Sequence, residues 1–317
     1  MNSLSFHLVQ KTPVRSALPS DTRLLSLNEL RNLGSIQEAE AHLISKEVES
    51  VIREDLEGQL DYFAKRLKVD LTPLHESIPE ITEAFQRRNI LVHNNGIVNN
   101  IYLSRVDKSL VERYGLKAGS SVTVDFGYLR DAIECLFLVG TVVLQKCWRK
   151  WKDDSREAAD RRIIDNTFDS LLEGRYLVTK RLAEFARSLS FASDSDTKIV
   201  VINHAIALKE LEQTDDVENI LSSQDWSACS LRFRIALHLL RDELLEVATL
   251  LPKAVAAGEV EQDHVLTWPL FKGFRQSPQY RVLSARLRRS VGGPLLNGDS
   301  LAFSPWAGAA AGAQVAG

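Results

Sequence analysis

Apolar residues recur at intervals of three and four along most of the chain, which therefore reads as one helix after another. A short helix begins near Ser26–Leu30. The run Ile36, Ala39, Leu43, Ile44, Val48, Val51, Ile52, Leu56, Leu60, Phe63, Leu67 predicts helix over 35–67, split near Gly58. A connector containing Pro73 leads into a helix over Pro79–His93, closed by Asn94-Asn95-Gly96. Ile101–Leu103 and Ser121–Val124 then read as short strands around the Gly115–Gly119 turn, a small β-like insertion. A long helix follows from about 125 to 152. Leu129, Ile133, Leu136, Phe137, Gly140, Leu144, Cys147, Trp148 and Trp151 form its expected inner side, packed on the 79–93 helix.

Beyond Asp153 the pattern predicts helices over 156–173, 175–189, 196–212, 217–221, 226–241, 244–257 and 259–267. Asp225 and one of the Ser/Asp residues at 193–196 are the expected N-caps, and Gly258 a stop. Ile206-Ala207-Leu208 with Leu211 echoes Ile235-Ala236-Leu237 with Leu240 at a shift of 29, and Ile220-Leu221 echoes Leu250-Leu251 at 30. Two imperfect helical hairpins of this kind resemble a short tetratricopeptide-like array, although ordinary amphipathic helices produce the same echo. The aromatic run Thr267–Arg275 is expected to close that array's core as a cap. The fold class is thus mostly α. A helical bundle with a small β-like insertion spans 25–152 and a repeat-like helical hairpin domain spans 153–289, flanked by an N-terminal extension over 1–24 and a Gly/Ala-rich disordered tail over 290–317.

The chemistry concentrates in Arg88-Asn89-Ile90-Leu91-Val92-His93. At about 100° per residue, Ile81, Ala84, Phe85, Leu91 and Val92 lie within roughly 60° of Arg88. This placement sets Arg88 in the middle of the apolar stripe, where a guanidinium must be paired or line a cleft or interface. Asn89 and His93 flank the stripe one turn apart, and His93 lies in the last turn, where the helix dipole favours imidazolium. Ile90 falls on the opposite, outer face. Taken singly, these residues also fit plainer roles: a terminal histidine as a cap, a stripe arginine in a structural ion pair, Asn-Asn-Gly as a turn.

The segment Arg87-Arg88-Asn89-Ile90-Leu91-Val92-His93-Asn94-Asn95-Gly96-Ile97-Val98, with Tyr102-Leu103 after it, resembles the signature of the HEPN superfamily (higher eukaryotes and prokaryotes nucleotide-binding). The resemblance covers roughly residues 25 to 150. It implies an all-helical domain, and in many members a metal-independent endoribonuclease acting as a toxin or in antiviral defence. It implies Arg88, Asn89 and His93 as catalytic residues and a homodimer that brings two motifs together; the outward Ile90 would mark the interface. A catalytically silent dimer carrying a protein-binding scaffold is the alternative.

Metal-free RNA cleavage needs a base for the 2′-hydroxyl, an acid for the leaving 5′-oxygen and positive donors for the phosphorane charge. Histidine and arginine supply these, with 2′,3′-cyclic phosphate and 5′-hydroxyl ends expected and no cofactor. Arg87 and Asn94 beside the motif are expected to contact RNA. Lys146, Arg149 and Lys150 are expected to reach phosphates, with Trp148 or Trp151 stacking a base; the same run fits a solvated last turn over core tryptophans.

Composition narrows the partners. A formal net charge of −3 argues against a protein that coats polyanions and leaves room for a local basic cleft. Cys135, Cys147 and Cys229 form no CxxC and no metal spacing with the histidines, so reduced thiols and no metal site are expected. No basic stretch leads into an apolar run near the N-terminus, and the longest apolar run, Cys135–Leu144, is too short for a bilayer. A cytoplasmic location without membrane contact is the expectation. Partners would be RNA, a second copy, and an antitoxin or defence-complex protein on the C-terminal helices.

Overall fold

The computed structural model describes residues 25–290, with side chains to residue 284. The extension over 1–24 and the tail beyond Ser290 lie outside the described residues. The fold is mostly helical, and no strand forms among the described residues. The chain divides into two compact units between Ser155 and Arg156.

In the first unit, α1 (Leu27–Leu33) opens on a reciprocal capping box between Ser26 and Glu29. Left-handed Gly34 then ends it, and Ser35 caps α2 (Ile36–Arg53). The expected split near Gly58 falls earlier, because Glu54 is extended and Asp55 caps a new helix, α3 (Leu56–Asp61), by accepting from Gly58 N at 3.0 Å. A π turn over Tyr62–Arg66 follows. The motif helix α4 (Ser77–His93) carries Pro79 in its first turn, where a missing N–H costs nothing. It packs on α7 (Phe126–Trp151), Ser77 O against Cys135 Sγ and Arg87 against Tyr128, so the two run antiparallel.

Between them the expected strands are corrected. Residues 101–103 belong to α5 (Asn100–Arg105), because the Asn99 side chain accepts from Tyr102 N at 2.9 Å and starts a helix, which turns Tyr102 into the core. A second short helix, α6 (Lys108–Arg113), follows. Of residues 121–124 only Ser121 makes a bridge, an isolated antiparallel one to Ile97. Left-handed Asn95 and Gly96 reverse the chain after α4, and a Cβ on Gly96 would sit 3.3 Å from Leu91 Cδ2 and Val122 O, so glycine is required there. Ile90, Val98, Tyr102, Val106, Leu110 and Val122 close into one apolar cluster over this segment.

The inner side expected for α7 holds at Cys147 and Trp151 and is corrected in its first half. Cys135, Leu138, Val139, Val142 and Cys147 are buried, whereas Leu129, Ile133 and Leu136 are exposed. Burial pushes the Cys147 thiol up to about 12, so it packs as a small hydrophobe.

The second unit consists of helical hairpins. The pairs are α8 (Arg156–Leu172) with α9 (Tyr176–Arg187), α10 (Asp194–Glu210) with α11 (Thr214–Leu221), and α12 (Leu231–Leu240) with α13 (Leu244–Ala256). Each pair turns through three residues whose centre is left-handed: Gly174, Glu212 and Asp242, at φ 70°, 60° and 59°. In each turn the next N–H reaches back five residues, Arg175 to Ser170 O, Gln213 to Leu208 O and Glu243 to His238 O, at 2.8–2.9 Å. The equivalence between the last two pairs is therefore 30 residues, the shift of the Ile220-Leu221 echo and not the 29 of the Ile206–Leu208 echo. α10 is buried all round from Ile199 to Leu208, so its apolar letters give no face by which a sequence register is fixed.

Ser193 caps α10, while Asp225 caps no helix and instead closes a turn onto Ser227 N. The helices α14 (Gln262–Thr267), α15 (Lys272–Gln276) and α16 (Pro278–Ser290) finish the unit. Trp268, Phe271 and Phe274 are buried and interlocked at 5.7 and 6.3 Å between centroids, the cap that the aromatic run predicts.

Candidate functional site

The two adjacent arginines of α4 have opposite fates. Arg87 is 5% exposed, and its Nε donates to Glu83 Oε1 at 2.7 Å, one turn back. Its Nη1 donates to Thr123 O at 3.0 Å, and the guanidinium lies 4.2 Å from the Tyr128 ring centroid and 4.7 Å from that of Tyr114. Glu83 also accepts from Tyr102 OH at 2.5 Å and Tyr128 OH at 2.7 Å. Burial, and then the bond to Glu83, push both phenols above their ordinary range, so they act only as donors to the carboxylate. This network ties α4, α5, α7 and the 121–124 segment together.

The wheel placement of Arg88 is thereby corrected. Arg88 is exposed, and so are its stripe neighbours Phe85 and Leu91, each at 38%, and Val92 at 58%, whereas Ile81 earlier in the stripe is buried. Ile90, expected outside, is 5% exposed and faces the core. The helix turns the later part of that stripe outward because Glu83 and Arg87 are claimed by tyrosines from distant elements. Arg87 is accordingly a structural ion pair rather than an RNA contact.

On the exposed face, Asn89 and His93 line an open groove of about 390 Å³ with Gln86, Ile90 and Asn94. Asn99, Ile101, Tyr102 and Arg105, from α5 and its cap, form the facing wall. His93 is exposed and Asn89 half-buried. Arg88 does not line the groove, yet its Nη1 reaches round the helix to donate to Asn89 Oδ1 at 3.2 Å. Asn94 is held by Nδ2 donating to Ile97 O at 2.6 Å. The structure thus gathers Asn89, His93 and Asn94 directly and Arg88 through Asn89.

The basic run at the end of α7 is engaged elsewhere. Lys146 Nζ pairs with Asp70 Oδ2 at 2.8 Å, a bond that with those from Thr72 holds the Asp70 carboxyl down to about 2. Lys150 Nζ donates to Leu67 O at 3.0 Å and to Lys68 O, and Arg149 Nε to Gln145 Oε1 at 3.1 Å. Trp148 Nε1 donates to Ser155 Oγ at 2.8 Å, and Trp151 packs with Leu67, Val69 and Cys147. None of these side chains lines the groove. Arg105 and Asn99, which do, escape sequence reasoning, because only the tertiary turn at Gly96 brings them opposite His93.

Among the described residues no three His, Cys, Asp or Glu side chains gather as metal ligands, and no helix is long and apolar enough to cross a membrane. No family model, curated protein or solved structure matches the chain.

Proposed function

We propose that the chain is a metal-independent endoribonuclease of the HEPN kind, cutting RNA by attack of its own 2′-hydroxyl. The observation that carries this reading is the placement of Asn89 and His93 on an open groove, with Arg88 bonded to Asn89. An exposed imidazole is accessible to a ribose hydroxyl or a leaving 5′-oxygen, and histidine is the side chain most often used for general acid and base work. The Arg88 guanidinium, held by one donor, keeps others for a phosphate and the charge that grows on it.

One helix supplies one histidine, whereas cleavage takes an acid and a base. A second copy supplies the other. Phe85 and Val92 on α4, and Ile133 and Leu136 on α7, are large apolar side chains left in solvent, which a homodimer would cover. Val92→Asp is therefore expected to shift a dimer to monomer in sedimentation velocity and to lower cleavage with it; a dimer that persists in this variant and in Ile133→Asp contradicts the assignment of that face.

Single-stranded RNA in EDTA tests the activity. Arg88→Ala and His93→Ala should each lose about 10²- to 10⁴-fold in rate. Because both side chains are exposed, stability should change by no more than about 0.5 kcal/mol. Full activity in both variants rules the reading out.

The like hairpins of the second unit favour a second reading, a silent dimer that carries a protein-binding array and acts as a scaffold. It predicts no cleavage by any form. Under either reading an antitoxin or defence-complex protein is the proposed ligand of those hairpins.

A further inference from the structure

Arg105 is the cation on the groove wall that faces His93. It ends α5, and its Nη1 donates to Asp55 Oδ2 at 3.2 Å, with the two side chains 48% and 46% exposed. Asp55 is itself fixed, since Oδ1 caps α3 through Gly58 N at 3.0 Å. An ion pair this open contributes only about 0–1 kcal/mol, so a competing anion displaces the carboxylate at little cost. A guanidinium with one donor engaged still offers a fork that matches two phosphate oxygens. Asn99 stands beside it, its Oδ1 held by Tyr102 N, which leaves the amide N–H groups as donors on the same wall.

We propose that Arg105 binds a backbone phosphate of single-stranded RNA neighbouring the one being cut, and that Asp55 holds it in reserve until RNA displaces the carboxylate. This inference rests on the ribonuclease reading of the same groove. Arg105 then governs binding and leaves the chemistry to Arg88, Asn89 and His93. Asp55 acts against binding, as an internal competitor for the same guanidinium.

The test uses the full chain with His93→Ala to prevent turnover, a fluorescent single-stranded oligoribonucleotide, and anisotropy titrations at several salt concentrations. Arg105→Ala should weaken binding about 5- to 30-fold and lower the slope of log affinity against log salt by about 0.7, the share of one phosphate on a single strand. Arg105→Lys should restore most of the salt slope, because it keeps the charge. Asp55→Asn should tighten binding several-fold, the opposite direction, although it breaks the same ion pair.

If Asp55→Asn weakens binding as much as Arg105→Ala, the pair is structural and the proposal is overturned. It is also overturned if Arg105→Ala leaves affinity and salt slope unchanged while the parent binds RNA and the wild-type chain cuts it; the ribonuclease reading then stands without it. A wild-type chain that neither binds nor cuts RNA removes the reading and the proposal together.

Discussion

Glu83→Ala is expected to cost the first unit about 3–5 kcal/mol, the usual penalty for leaving a buried charge without its partner. Arg87 would remain in the interior without its carboxylate, and the hydroxyls of Tyr102 and Tyr128 would lose their acceptor with it. Since a domain holds about 5–15 kcal/mol in all, the loss takes a large share of the total. Arg87→Ala should act alike, whereas Arg88→Ala, one residue on, should be nearly neutral. Urea denaturation followed by tyrosine and tryptophan fluorescence compares the three. Equal losses for Arg87→Ala and Arg88→Ala would contradict the division of labour between the two arginines.

Acid should weaken the second unit through His204. Its ring is 2% exposed and neither nitrogen has a hydrogen-bond partner; the nearest carboxylate, Glu184, stands 3.9 Å from Nε2. Burial, with Arg187 and Lys180 nearby, pushes it from 6.5 down to about 4. The unfolded chain therefore takes up the proton first as pH falls. Stability is fully present above about 6.5 and is lost between there and about 4, with a total on the order of 3 kcal/mol. Burial also lowers His264, which acts in the same direction, so the informative quantity is the difference from His204→Leu. The wild-type urea midpoint should fall more steeply over that pH range than the variant's; parallel curves would show that His204 is not buried neutral.

Much of the helical framework was legible from spacing and caps. The long helix expected from about 125 to 152 runs Phe126–Trp151, since Asp125 caps it and the apolar letters never pause. The hairpins of the second unit were also legible, with the right register at Ile220-Leu221 and a register one residue off along the all-buried helix, which has no face to fix it. What failed was the choice of face. In α4 the later part of the apolar stripe, Phe85, Leu91 and Val92, points outward, because the Glu83–Arg87 pair on the other side is claimed by Tyr102, Tyr128 and Thr123 from distant parts of the chain. In α7 apolar residues occupy both faces, so Leu129, Ile133 and Leu136 read as core.

The candidate groove was half legible. Asn89, His93 and Asn94 line one groove, whereas Arg88, expected to border it with them, meets it only through Asn89. The basic end of α7 was misleading, because Lys146 and Lys150 spend their charges on Asp70 and on the carbonyls of Leu67 and Lys68. Arg105 was invisible, for β-branched and aromatic letters around Tyr102 suggested a strand where Asn99 starts a helix.

The most direct measurement is the mass of the products from a defined single-stranded RNA incubated with the full chain in EDTA. The account predicts fragments ending in 2′,3′-cyclic phosphate and beginning with 5′-hydroxyl, absent with His93→Ala and absent when the nucleotide at the cut carries no 2′-hydroxyl. RNA left intact, or fragments that begin with 5′-phosphate, would contradict it.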